Sequence, residues 1–225
     1  MKILITGGAG FIGSNLCDYL LLKEHDIIII DDLSTGHKSN LSSTFDKIEF
    51  YNEKIESFDF NRVTGVNAIV HLAAQPSVPI SIKNFADSSS SNLLGTIHVI
   101  DYCRINKIPF IYASSSAVYG NLTLGNDKSE EIDLLSPYAI DKYTMELYSK
   151  TAYKLYQLSS VGLRFFNVYG PRQDPRSPYS GVISIFADRM LKGQEITING
   201  GYQTRDFVYV KDVVNTIHRA IILAS

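Results

Sequence analysis

Apolar positions along the chain fall into short continuous runs and longer stretches with helical spacing, and the two alternate. Residues 3–5 (ILI) and 27–30 (IIII) are continuous runs suited to strands buried on both faces, as in a parallel sheet. Between them, residues 15–23 carry the spacing of a helix. Residues 48–51, 67–74, 109–118 and 161–168 read as the third to sixth strands, and residues 92–106 and 137–155 as helices, the second with Pro137 in its first turn. The helix between the second and third strands is expected to be brief or missing, and residues 119–135 read as a polar loop. From Tyr169 the texture changes to YGPRQDPRSPYS, dense in proline, arginine and turn formers. A helix over 181–192, strands over 195–199 and 205–210 and a final apolar helix follow. This alternation predicts an α/β fold, a doubly wound parallel (Rossmann) sheet with ligands at the C-terminal edge of its strands. The change in texture divides the chain into a sheet domain over 1–168 and a small lobe over 169–225.

Composition narrows the class without naming a chemistry. The 225 residues are 45% hydrophobic and 20% charged, as in an ordinary globular protein that can bury a core. A net charge of −2 with no long basic cluster gives no case for a nucleic-acid or membrane partner. No aliphatic run exceeds four residues, so no membrane-spanning helix is expected, and the three apolar residues before the first glycines are too few for a signal peptide. Cys17 and Cys103 lie in helical apolar context without ligand spacing and read as buried free thiols, which points to a cytoplasmic location and to no metal site.

The first chemistry is at residues 1–14, MKILITGGAGFIGS. Gly7 suits a sharp turn, Gly10 leaves room for a pyrophosphate, and Gly13 lets the helix approach the strand. The helix start at Phe11 and Ile12 would aim N–H groups at the anion. Such a pattern also closes ordinary junctions, but here it lies between a buried strand and a helix, and the second strand ends in Asp31 and Asp32. A carboxylate there accepts from ribose hydroxyls and repels a 2′-phosphate, so NAD is favoured over NADP. The loop holding Leu33, Thr35 and Gly36 would lie beside the adenosine. His71, within the fourth strand, has no evident base or metal partner and reads as a core histidine.

Tyr138 and Lys142 stand four apart on one helix face, and the preceding strand ends in Ser114, Ser115 and Ser116. The spacing alone is cheap: Tyr19 and Lys23 repeat it on the first helix. Position separates the two pairs, because Tyr138 opens the helix after the fifth strand, at the edge where a nicotinamide would lie. A tyrosine ordinarily has a pKa near 10, and to act as a base at neutrality it must be brought down to about 7. The Lys142 ammonium and the positive charge of oxidised nicotinamide are expected to do this, with a serine sharing the proton.

With these residues in view, the chain resembles the extended short-chain dehydrogenase/reductase superfamily, and within it the nucleotide-sugar epimerase/dehydratase family. The resemblance rests on TGGAGFIGS, the acidic pair at 31 and 32, HLAA, YASSSAVYG, SPYAIDK, LRFFNVYGPRQ and TRDFVYVKDV, from residue 1 to residue 212. It implies a retained NAD that takes hydride from carbon 4 of a UDP-sugar and returns it, with Ser115, Tyr138 and Lys142 as the catalytic trio. It further implies that Leu72, Ala73 and Ala74 line the cofactor channel, that Asn92 anchors it, and that Ser116, Asn167 and Arg205 meet the substrate. Arg172 is either a further substrate contact or a structural loop arginine. Position 52 departs from the family's usual Asp and is Asn52, which still offers an amide oxygen to the adenine.

Within the family, 4,6-dehydratases carry Asp and Glu after the catalytic serine, and UDP-glucuronate decarboxylases usually keep the Glu. Here those positions are Ser116 and Ala117, so elimination lacks its proton carriers. The reading that remains is a UDP-hexose 4-epimerase, of the UDP-galactose or UDP-N-acetylglucosamine type. A dehydratase or decarboxylase relative and a non-catalytic NAD-binding fragment are the alternatives. Family members continue beyond the length of this chain, so the substrate lobe is expected to be incomplete. A homodimer is expected through a four-helix bundle of residues 92–106 and 137–155, with Tyr143 and Leu147 as contacts.

Overall fold

The structure, a computed structural model, describes residues 1–122, 131–177, 180–198 and 200–225. Alternation starts with β1 (Lys2–Thr6), α1 (Phe11–Leu21), β2 (Asp26–Ile30) and β3 (Ile48–Tyr51), with only single 3-10 turns between β2 and β3. Next come β4 (Ala68–His71), α2 (Val78–Lys83), α3 (Phe85–Ser89), α4 (Gly95–Asn106) and β5 (Phe110–Ser115). A wide π turn, Ser90–Leu94, joins α3 to α4. The remainder is α5 (Pro137–Tyr156), β6 (Ser160–Phe165), β7 (Asn167–Tyr169), α6 (Val182–Leu191), β8 (Phe207–Tyr209) and α7 (Val210–Ala224).

Six parallel strands pair in the order β3-β2-β1-β4-β5-β6. The order reverses between β1 and β4, and the crevice at that switch point is where an open α/β sheet takes a ligand. The all-apolar runs follow from helices covering both faces: Ile3 and Ile5 pack toward α1 and α7, while Leu4 and Ile28 pack toward α4 and α5.

Two details differ from the sequence pattern. The run 161–168 is two strands, because the chain leaves the main sheet after Phe165 and β7 pairs with β8 in a separate parallel pair. No strand forms over 195–198; residue 199, like residues 123–130 of the expected polar loop, lies outside the described residues. The final helix packs on the sheet: Val210, Val213, Val214, Ile217 and Ile221 of α7 are buried with β1 and α1 in one core. A helix with one continuous apolar face needs an apolar partner, and α1 supplies it. Among the described residues, no helix is long and apolar enough to cross a membrane.

Candidate active site

A cleft of about 630 Å³ runs along the C-terminal edge of the sheet over the switch point. At one end is the glycine turn. Gly7 has φ +71°, and a Cβ on it would lie 2.6 Å from the Ala73 nitrogen; one on Gly13 would lie 2.2 Å from the Gly7 carbonyl oxygen. Neither position tolerates a side chain. Gly10 meets only the Gly7 oxygen, at 3.2 Å, so its open side faces the cleft. No side chain caps α1, which leaves its first N–H groups directed at that space.

Asp31, at the end of β2, is buried, and its carboxylate accepts from the Ala9 and Leu33 N–H groups, each at 2.8 Å. Burial pushes its pKa up, and the two N–H bonds oppose the rise. Each oxygen keeps a second acceptor site open. The following loop is tied to the turn as well, since His37 N–H and Asn40 Nδ2 both donate to the Ala9 carbonyl.

The other end holds the serine strand and α5. Ser136 caps α5 through the Ala139 N–H, and the Tyr138 N–H donates to Ser81 Oγ. These two bonds place the first turn of α5 in the cleft wall. Ser115 acts on the Tyr138 hydroxyl to lower its pKa, and its Oγ accepts from the Ala117 N–H at 3.1 Å. Lys142 is 3% exposed and donates to the Ala113 carbonyl at 2.8 Å. Burial brings its pKa down to about 8, with Asp141 acting in the opposite direction.

Burial raises the Tyr138 pKa and Ser115 opposes the rise, while the Lys142 ammonium is turned onto the Ala113 carbonyl. Its nitrogen is 5.8 Å from the Tyr138 ring centre. Lys23 stands at nearly the same distance, 5.7 Å, from the Tyr19 ring, but Tyr19 donates to Asn215 on α7, away from the cleft.

Of the candidate cofactor residues, Gly7, Gly10, Phe11, Ile12 and Gly13 line the cleft from the turn, and Asp31, Asp32 and Thr35 from the loop after β2. Leu72, Ala73 and Ala74 form its floor, and Ser115, Tyr138 and Lys142 its far wall, while Arg172 lines it from beside α1. Others stand outside the lining. Leu33 packs into the core, Gly36 backs onto Ala9, and Asn52 donates its amide to the Asp31 carbonyl. Asn92 is buried below the floor, where its Oδ1 accepts from the Gln75 N–H. Ser116 turns away in a 3-10 turn, Asn167 donates to the Asp206 carbonyl, and exposed Arg205 donates to the Thr204 carbonyl. Arg172 is paired with Asp18 at 2.5 Å.

The sequence reading missed the short α2–α3 hairpin, which brings Ile80, Asn84, Asp87 and Ser88 to the cleft. Its signal was present: Ser77 caps α2 by accepting from the Ile80 N–H, with a proline in the first turn. His71 is fully buried in a directional chain. Thr96 donates to the Asn92 carbonyl, so it accepts from His71 Nε2, and Thr6 donates to Nδ1. Burial holds its pKa down at about 3. Cys17 and Cys103 are buried and unpaired.

The family model for the NAD dependent epimerase/dehydratase family matches residues 3–223. A putative UDP-glucose 4-epimerase of Methanocaldococcus jannaschii is 45% identical over 219 residues, covering 94% of this chain and 70% of that protein. The chain superposes with TM-score 0.93 on a UDP-N-acetylglucosamine 4-epimerase from Methanobrevibacter ruminantium in complex with UDP-N-acetylmuramic acid. That pair is 37% identical and covers 98% of this chain and 73% of the other. A UDP-glucose 4-epimerase of Thermus thermophilus in complex with NAD gives TM-score 0.87 at 34% identity, with 98% and 74% covered.

Proposed function

This chain belongs to the NAD-dependent epimerase/dehydratase family, and from that premise we propose that it interconverts the C4 epimers of a UDP-hexose through a 4-keto sugar, with NAD as resident cofactor. The residues present fit that cofactor. The side-chain-free cradle at Gly7 and Gly13, the uncapped start of α1 and the open acceptor sites on Asp31 suit a pyrophosphate and a ribose. When bound, NAD supplies the hydride acceptor and donor at C4 and a positive charge beside Tyr138.

The chain's own residues do the rest. Tyr138 removes the proton from the 4-hydroxyl and returns it, Ser115 orients that hydroxyl and shares the proton, and Lys142 holds positive charge at the strand end. The observation that carries the reading is this trio gathered at the sheet edge without an acid pair after Ser115. Glu146, one turn beyond Lys142, is held in a bidentate pair with Arg164 and accepts from Ser114, so it is not free to carry protons.

The test is incubation with NAD and either UDP-galactose or UDP-N-acetylgalactosamine, reading the anomeric proton of each C4 epimer by NMR. Absence of conversion with NAD shown to be bound would sink the reading. We also propose a substrate lobe confined to the segment between β6 and α7, and a homodimer through α4 and α5. Ile105, Ile140, Leu147 and Leu155 are exposed there, which supports such an interface. Sedimentation as a monomer at micromolar concentration refutes the dimer.

A further inference from the structure

The fourth residue of YAIDK is unused by the reading above, yet it is among the most enclosed charges in the molecule. Asp141 is 3% exposed, and its carboxylate accepts from Ser89 Oγ at 2.9 and 3.1 Å and from Asn92 Nδ2 at 3.4 Å. It enters none of the ion pairs among the described residues. The next residue, Lys142, is equally buried, and its ammonium donates to a neutral carbonyl. Neighbouring positions on a helix point apart, so these opposite charges act on each other through the protein interior without touching.

We propose that Asp141 is a positioning residue: its buried carboxylate, held by Ser89 and linked through Asn92 to Gln75 of the cleft floor, holds Lys142 as an ammonium ion on the Ala113 carbonyl. This rests on the reading of Lys142 as part of the reactive trio. The π turn, Ser90–Leu94, carries Asn92 and widens the helix at that point, a distortion that recurs at functional sites. The Gln75 backbone orients the Asn92 amide, its carbonyl accepting from Nδ2 at 3.3 Å, and the same Nδ2 reaches the Asp141 carboxylate at 3.4 Å. Oδ1 takes the Gln75 N–H at 2.8 Å. Gln75 belongs to the cleft floor beside Tyr138. The carboxylate is thus linked through Asn92 to the loop and by its charge to the lysine.

The other groups facing Lys142 cannot replace it. Tyr138 on the same helix is neutral with its pKa raised by burial, and His71 of β4 is neutral with its pKa lowered by burial. Glu146 is committed to Arg164. For Lys142 itself, burial favours the neutral amine and Asp141 is the one opposing charge.

The experiment labels lysine Cε with ¹³C in the full chain loaded with NAD and titrates it between about pH 6 and 11 by NMR, Lys142→Arg identifying the signal. Asp141→Asn should lower the Lys142 midpoint by about one pH unit, a tenfold loss of proton affinity, and Asp141→Glu should restore it. The alkaline limb of kcat should move down by the same amount. If Asp141→Asn does not fold, Asp141→Ser, neutral and smaller, must give the same displacement. A midpoint unmoved in a neutral variant, with activity lost equally at every pH, makes Asp141 merely structural and overturns the proposal. If the unaltered protein turns over no UDP-hexose, the epimerase reading fails while the NMR midpoint still decides Asp141.

Discussion

Gly13→Ala sets two opposing effects against each other in α1. Alanine is the better helix former by about 0.5–1 kcal/mol, so without a neighbour the change stabilises. The neighbour is backbone: the new Cβ would lie 2.2 Å from the Gly7 carbonyl oxygen and 2.7 Å from the Gly8 Cα. A carbon and an oxygen in contact sit about 3.3 Å apart, so α1 must retreat by about 1 Å. Overpacking costs about 1–3 kcal/mol, and a carbonyl at the head of a strand cannot swing aside as a side chain can, which places the cost in the upper half of that range. The net loss is about 1–2.5 kcal/mol, or about 2–10 °C in Tm for a chain of this size. The same retreat withdraws the helix N–H groups from the anion, and NAD affinity should fall tenfold to a hundredfold, as about 1 Å of misplacement commonly does. Thermal unfolding by circular dichroism and calorimetric titration with NAD read both effects. Gly10→Ala, which meets only the Gly7 oxygen at 3.2 Å and needs a shift of only a few tenths of an ångström, is the comparison and should lower Tm less than Gly13→Ala. An alanine at 13 with unaltered Tm and NAD affinity refutes the account of the turn.

Tyr138→Phe should abolish epimer formation while leaving NAD binding within about twofold, since the backbone N–H that docks on Ser81 remains; residual turnover above about one thousandth assigns the proton transfer elsewhere. Ile217→Ala removes a fully buried side chain from α7 and should cost about 2–5 kcal/mol in a single unfolding transition; a separate minor transition would instead place α7 in its own unit. His71 binds its proton with a pKa of about 3 in the fold against 6.5 in the unfolded chain. Between those values the unfolded state holds more protons, so the contribution is full above about pH 6.5 and is lost as pH falls, by about 1.4 kcal/mol per unit. Urea unfolding at pH 7, 6 and 5 should show a shallower decline in His71→Gln than in the unaltered chain, and equal slopes would remove the claim.

The sheet was legible because its strands are buried on both faces and so read as continuous runs, from residues 3–5 to residues 27–30. Boundaries after Phe165 were not, since both sheets want the same apolar residues, and only the register of β7 on β8 separates them. The glycine turn was legible because two of its positions exclude any side chain. The placement of Asn92 was harder to read. Nothing in a helical pattern announces a π turn, and the residue supports the loop above it without lining the cleft. Arg205 carried a substrate expectation from resemblance, yet here it is exposed and bonded to its own chain neighbour.

The two tyrosine–lysine pairs show what separates a site from a spacing. Both place the ammonium under 6 Å from the ring, and both sit on helices flanking the same sheet. At Tyr19 the hydroxyl is consumed by Asn215 of α7, and neither residue of the pair lines the cleft. At Tyr138 the hydroxyl meets Ser115 at a strand end, inside the cleft, while the ammonium is enclosed and tied to the same strand at Ala113. Burial alone makes Tyr138 a weaker acid, so the fold by itself does not ready the tyrosine as a base. In the proposed reaction, positive charge from bound cofactor and from Lys142 is what would make its proton mobile. Asp141 therefore matters to the chemistry as much as the spacing does: an enclosed lysine without a carboxylate near it would drift toward the neutral amine, leaving Tyr138 with a neighbour of the right geometry and no charge.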